Sequence, residues 1–348
     1  MITPETYSGA LLLIALAMVC WGCWANVFKL AGKWRFELFY YDFSLGVLLA
    51  AIVGAYTFGS MGNELSFSDN LLIAMKRNMA WALAAGVIFN LANMLLVAAI
   101  SVAGMTVAFP IGIGLALVVG AIWNYFLNPQ GTPILLFAGV ALVLGAIVLD
   151  AIAYATHGKR SKATGSAGKA KTQSGPNRLK GIFLSLASGV LLASSYQLVE
   201  MGKGAGMENA GLGPYAMLFL FALGVFFSTF VFNLYFLNLP VEGEPLSMFS
   251  YFQGTFRQHA LGIAGGMIWC VGAIANFVAS GAPKAAQITP AMSSAVGPGA
   301  AVLSALWGLL VWREFAGASG KARLLLGLML ILFVAGLIAV AIAPSYAS

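Results

Sequence analysis

The sequence predicts an all-α integral membrane protein: ten transmembrane helices arranged as two inverted five-helix repeats. Three observations carry this expectation. Hydrophobic residues make up 61% of the chain and charged residues only 8%, where a water-facing domain carries about 25% charged. The apolar residues fall in blocks of about twenty, the length that crosses a hydrocarbon core roughly 30 Å thick; the short alternating segments of a membrane barrel are absent. Between Asp150 and Glu200 there is no acid, while Lys159, Arg160, Lys162, Lys169, Lys171, Arg178 and Lys180 crowd a Ser/Gly/Ala/Thr-rich stretch.

Apolar runs read against their charged or Gly/Pro boundaries give the elements in order. Five helices are expected over Ser8–Leu30, Glu37–Gly59, Ala80–Ile100, Gly104–Phe126 and Pro133–Tyr154. Five more are expected over Gly181–Met201, Gly213–Leu237, His259–Ser280, Gln287–Trp312 and Ala322–Ile342. The first run has no basic residue before it and is of full spanning length, so it reads as a retained helix and not a cleaved signal. The third and fourth helices, and the eighth and ninth, are joined by very short turns. The division is then a first five-helix half over 1–154, a basic loop over 155–180 and a second half over 181–348.

Orientation follows from the basic loop. With 155–180 in the cytoplasm, both termini lie outside, and fourteen of the 18 Lys and Arg residues fall inside. Lys76, Arg77, Lys203 and Lys284 fall outside, and the opposite topology would reverse this bias. A multi-pass protein of the inner (cytoplasmic) membrane is expected. The loop needs no nucleic-acid partner, though its charge suits anionic lipid headgroups. Cys20 and Cys23 form a C-x-x-C, but on an apolar helix without a second pair they read as packing residues. No cofactor or metal is expected.

Shifting the sequence by 180 positions lays Arg77 on Arg257, Ala84 on Ala264, Gly86 on Gly266, Ile88 on Ile268 and Pro110 on Pro290. Because five is odd, two such halves have opposite orientations, the plan of many secondary transporters.

Polar residues within a membrane find partners or line a cavity. Asn90 and Asn93 share a helix face with Gly86 one turn earlier, and amides suit neutral polar solutes. The eighth helix offers Trp269, in the slot that matches Phe89, and Asn276. Trp24 follows Trp21 on one face of the first helix. Aromatic rings stack on flat solutes or simply pack. Pro110 and Pro290 interrupt the backbone ladder and are hinge candidates, and Gln287 and Thr289 give the second a polar approach. Among the acids, Asp150 and Glu314 fall near cytoplasmic helix ends and Glu200 near an outer one, where solvation or capping accounts for them. Asp42 is deeper and is the proton-coupling candidate; the alternative is a salt bridge to Lys33 or Arg35.

Several stretches carry a resemblance. Ala300 to Glu314, with Trp307-Gly308 and a closing Glu314 on a helix entered through Pro290, resembles the drug/metabolite transporter superfamily. Tyr40-Tyr41-Asp42-Phe43-Ser44, leading into Leu48 to Ile52 and Tyr56-Thr57-Phe58-Gly59, resembles the second helix of the ureide permeases. Gly86 to Asn93 and Asn124-Tyr125-Phe126-Leu127 are also similar to those permeases and to the related glucose/ribose uptake family. The resemblance implies proton-driven uptake. One departure stands out: the phosphate-loop-like motif of the permeases' central segment is matched only by Ala163 to Ala170. Alanine stands there in place of the first glycine and of the magnesium-holding Ser/Thr. This argues against nucleotide binding and counts against a purine-derived ureide as the substrate.

The expected function is secondary active transport of a small polar solute such as a sugar, ureide or nucleobase-like compound, by alternating access. The alternative is an integral-membrane enzyme acting on a lipid-linked substrate. Such chemistry needs acid–base groups or metal ligands within reach of one another. The two histidines, His157 and His259, lie in the basic loop and at a helix edge, and no acid pair is evident within the membrane.

Overall fold

The computed structural model describes residues 1–62, 65–127, 132–163, 175–203, 211–283, 286, 288 and 296–343. Every element among them is helical. In chain order these are α1 (Tyr7–Cys23), α2 (Ala25–Leu30), α3 (Phe36–Tyr56), α4 (Phe67–Ile73), α5 (Lys76–Ala103), α6 (Met105–Leu127), α7 (Pro133–Ala163), α8 (Gly175–Lys203) and α9 (Pro214–Asn238). A 3-10 helix over Met248–Gln253 precedes α10 (Phe256–Ser280). Then come α11 (Val296–Leu306), a π-helical turn (Trp307–Val311) and α12 (Gly320–Ile342).

Nine helical stretches among the described residues are long and apolar enough to cross a membrane, and Val296–Val311 is a shorter apolar helix. They fall where the sequence places its ten helices. Ends are set by local chemistry: Thr6 Oγ1 accepts from the Gly9 N–H at the start of α1, and Ser319 does the same for Ala322 at the start of α12. Thr255 and Gln258 form a reciprocal capping box before α10, which satisfies two N–H groups that a helix start leaves bare. The sequence reading missed α4 and the 3-10 helix. Both are too short to show a spanning run.

The chain packs into two compact units, one of 1–94 with 194–296 and one of 95–193 with 297–348. In the first, α10 packs on α3 and α1, and α3 also packs on α9. In the second, α7 packs on α12 and α6. Unit 1 contains two close helix crossings. At the first, a side chain on Gly46 of α3 would overlap the Ile263 carbonyl oxygen of α10, and one on Gly266 would overlap that of Phe43. At the second, a side chain on Gly224 of α9 would overlap the Leu83 carbonyl of α5, and one on Gly86 that of Phe221. In unit 2, α7 and α12 meet at a further reciprocal pair: a Cβ on Gly139 would lie 2.9 Å from Gly336 O, and one on Gly336 2.8 Å from Gly139 O. Only glycine permits backbones this close, which is how membrane helices gain contact without a hydrophobic driving force.

Candidate functional site

Unit 1 gathers most of the polar residues singled out in the sequence. Asp42 lies one and a half turns into α3 and is 1% exposed. The expected salt bridge to Lys33 or Arg35 is not made by Arg35, which turns to Glu37 (Nη2 to Oε1, 2.5 Å) and to the Glu244 carbonyl. Instead the Tyr251 hydroxyl donates to Asp42 Oδ1 at 2.5 Å, and His259 Nδ1 stands 2.8 Å from Oδ2. Gly262, one turn along α10 from His259, leaves room for this carboxyl; any side chain there would overlap Asp42. Trp34 meets the His259 ring edge-on at 5.4 Å and Tyr251 meets it at 4.6 Å. Trp34 is buried, and its Nε1 has no hydrogen-bond partner among the described residues. Burial first, and then the adjoining Asp42 carboxylate, push the Tyr251 phenol well above the usual tyrosine range. It therefore remains a hydrogen donor at any physiological pH.

Asn90 and Asn93 share a face of α5 but serve different neighbours. Asn90 Nδ2 donates to Ser228 Oγ (2.8 Å) and Thr229 Oγ1 (3.1 Å) on α9, and Thr229 donates back to Asn90 Oδ1 at 3.4 Å. Ser228 donates its one hydrogen to the Gly224 carbonyl one turn back on α9, and for Thr229 the Val225 carbonyl, at 2.8 Å, is the nearer of two alternative acceptors for its single hydrogen. Asn93 Nδ2 donates to the Tyr40 hydroxyl on α3 at 3.0 Å, with both residues buried. Asn90 thus ties α5 to α9, and Asn93 ties α5 to α3.

An aromatic cluster lies alongside. Trp269 of α10 packs on Phe89 of α5 with centroids 4.6 Å apart, and stacks on Phe221 and Trp21 at 6.0 and 6.1 Å. Trp21 Nε1 donates to the Trp269 carbonyl at 3.1 Å. Trp24, at the break between α1 and α2, packs on Phe43 at 5.0 Å, and Phe43 packs on Tyr40 at 5.0 Å. Asn276 is buried on α10 two turns beyond Trp269. Pro110 lies elsewhere, in unit 2, where α6 continues through it. Gln287, Thr289 and Pro290 lie outside the described residues.

The sequence reading missed Tyr40, Tyr251 and His259 as site residues. His259 was visible as one of two histidines, at the edge of an apolar run. Tyr251 sits in a short connection with no periodic signal.

The arrangement offers buried amide and hydroxyl hydrogen-bonding groups beside flat aromatic faces, with a carboxyl–imidazole pair nearby. No group of three or more His, Cys, Asp or Glu side chains able to hold a metal occurs among the described residues. The sequence profile of the ureide permease family matches residues 39–180 and 177–344. Ureide permease 2 of Arabidopsis thaliana is 24% identical over 98% of this chain and 98% of its own length, and ureide permease 1 of the same plant is 24% identical over 95% of each. A probable ureide permease A3 of Vigna unguiculata is 29% identical over 42% of this chain and 40% of its own. A solved crystal structure at 16% identity superposes with a TM-score of 0.54, covering 97% of this chain and 99% of its own, which shows a shared fold. The chain therefore belongs to the ureide permease family, and is a multi-pass membrane transporter and not an enzyme.

Proposed function

We propose that this transporter is a proton-coupled secondary carrier of a small ureide-like solute, working by alternating access between two inverted five-helix halves. The halves are 1–154 and 181–348, with 155–180 as the cytoplasmic connection and both termini outside a cytoplasmic membrane. The observation that carries the reading is the recurrence of one glycine crossing. Leu83 and Gly86 of α5 lie 180 positions before Ile263 and Gly266 of α10. Phe43 and Gly46 of α3 precede Phe221 and Gly224 of α9 by two positions fewer. The second helix of each half thus crosses the third helix of the other at equivalent glycines, and the fifth helices meet each other at Gly139 and Gly336. A two-fold exchange of the halves turns each contact into another of the set, which supports an inverted repeat.

The substrate contacts are Asn93 with Tyr40, the faces of Trp269 and Trp24, and the Asn276 amide, and the sequence adds Gln287 and Thr289 as further candidate ligands. Planar ureides present alternating N–H and C=O groups, which amides and hydroxyls can match, and flat faces for the indoles. Asn90 is so fully engaged by Ser228 and Thr229 that it orients this wall. Pro110 and Pro290 are the hinges. Asp42 carries the coupling proton: it is buried in a spanning helix and paired with histidine, the side chain that changes charge in the physiological range.

Counterflow of labelled allantoin in proteoliposomes tests this, with uracil and glucose as competitors; allantoin is a purine-derived ureide, the class that the departure at Ala163 to Ala170 counts against, so its exchange also decides that point. Saturable exchange inhibited by allantoin above both competitors is the expected result. Exchange of glucose alone would replace the ureide with a sugar, and no exchange of any of the three would reject the reading.

A further inference from the structure

The connection from α9 to α10 has two unlike faces. Its 3-10 helix repeats every three residues, so Phe249 and Phe252 stand on one side. They are 77% and 76% exposed, and Phe256, which opens α10, is 88% exposed. Tyr251 of the same helix turns inward: its hydroxyl donates to Asp42 Oδ1 at 2.5 Å, and its ring meets Tyr41 at 5.6 Å and His259 at 4.6 Å. The backbone around it is held. The Leu246 N–H donates to the Leu237 carbonyl at 3.0 Å, Arg35 Nη1 donates to the Glu244 carbonyl at 2.5 Å, and Ser247 Oγ accepts from the Phe249 N–H at 3.3 Å. At Gly254 a Cβ would lie 2.5 Å from both His259 Nε2 and Trp34 Cη2, so the chain passes tight against this pair.

The connection lies at the end of unit 1 where α3 begins and α9 ends, the end at which Phe36 packs on Phe236 at 5.7 Å. Both helices that it joins are of spanning length, so it lies at a boundary of the membrane. The exposed apolar surface of α9 runs to the same boundary through Val231, Leu234 and Tyr235, with Leu239 just beyond the helix. Arg257 is exposed beside Phe256, and its Nη2 donates to the Leu30 carbonyl at 3.4 Å. The short helix α4 repeats the pattern at the other end of unit 1, where Phe67 packs on Phe219 at 5.2 Å. The shift of 180 that lays Arg77 on Arg257 also lays Leu72 on Phe252, and Leu72 is 83% exposed. Each connection thus carries an exposed apolar side chain five residues before an arginine.

Three phenylalanine rings facing water are unfavourable. The headgroup–acyl boundary of a bilayer takes aromatic rings from one face of a segment and leaves Lys or Arg on the other face in water. A protein partner would have to displace the lipid that the flanking spans already place against this surface. We infer that residues 248–256 are a membrane-interface anchor: Phe249, Phe252 and Phe256 insert into the headgroup–acyl boundary of a phospholipid leaflet, and this seating holds Tyr251 against Asp42. The anchor requires neither a ureide substrate nor a coupling role for Asp42.

The test uses the purified full chain, with Cys20, Cys23 and Cys270 replaced, in phosphatidylcholine nanodiscs without solute. An environment-sensitive NBD dye on Phe252→Cys should emit blue-shifted light. Phospholipids brominated high on their acyl chains should quench it several-fold more than aqueous iodide does. Leu72→Cys should behave alike, and Phe256→Cys repeats the measurement if Phe252→Cys folds poorly. Water-like emission quenched by iodide alone would overturn the inference. So would self-quenching between labelled copies in discs holding two, without quenching by brominated lipid, because a second copy of this chain would then cover the face. A second arm reads His259, against whose ring Tyr251 packs. In Phe249→Ser/Phe252→Ser, diethylpyrocarbonate should modify His259 several-fold faster than in the parent, with His157 as the internal reference in mass spectra. An unchanged ratio would reject the hold on Tyr251. Failure of either arm leaves allantoin counterflow untouched, and failure of counterflow leaves these measurements untouched.

Discussion

Replacing Asp42 with asparagine separates a coupling role from an anchoring one. Asn keeps the shape of the carboxyl, so Tyr251 can still donate to its oxygen, but it removes the charge that makes this 2.5 Å bond and the 2.8 Å approach of His259 strong. A hydrogen bond to a charged group contributes about 1.5–3 kcal/mol and a neutral one about 1 kcal/mol. The Tyr251 bond should therefore lose roughly 1–2 kcal/mol. The His259 side chain is 24% exposed, so the solvent-screened part of its pairing adds at most about 1 kcal/mol. A total of about 1–3 kcal/mol lowers the melting temperature without preventing folding. Accumulation driven by a pH gradient should be abolished, while counterflow, which moves no net proton, should persist within a few-fold. Both are measured side by side in proteoliposomes containing matched amounts of folded protein. Unchanged accumulation would refute a coupling role for Asp42. Parallel loss of accumulation, counterflow and yield would make it an anchor for Tyr251 and His259.

Three further outcomes are expected. Asn93→Ala should weaken allantoin binding by about 1–3 kcal/mol by leaving a buried partner unmatched, read by titration; normal affinity with early melting would make Asn93 helix glue between α5 and α3. Gly266→Ala and Gly86→Ala should each destabilise by about 1–3 kcal/mol through overpacking. Pairing Gly266→Ala with Gly46→Ala should be non-additive, because both act at one crossing, whereas Gly266→Ala with Gly86→Ala should be nearly additive; thermal melts in detergent decide, and wild-type melting of either single variant would remove the case for matched crossings. Single cysteines at Ser166 and Ser345, in a background lacking Cys20, Cys23 and Cys270, should label from opposite sides of intact cells. Labelling from the same side would reject the inverted plan.

Composition and run length by themselves determined that this chain is a helical membrane protein and where its spanning helices lie. The physical reason is local: a helix in hydrocarbon must satisfy its own backbone and present apolar side chains along about twenty residues, so each span is written contiguously in the chain. The short α4 and the Met248–Gln253 helix carry no such signature and were missed. The candidate polar residues were legible one at a time, because asparagine, tryptophan and aspartate stand out against an apolar background. Their partners were not. Periodicity placed Asn90 and Asn93 on one face but could not say that they reach different helices. Proximity in sequence suggested Lys33 or Arg35 for Asp42, yet Arg35 is taken by Glu37 and the carboxyl goes to Tyr251 and His259, more than two hundred positions away. Asp150 and Glu314 each looked like an acid at a helix end. That account holds for Glu314, which caps α6; Asp150 is buried without a partner among the described residues. Which polar groups meet depends on how the helices cross, and the crossings are set by where glycine lets two backbones touch, a property that only the tertiary structure decides.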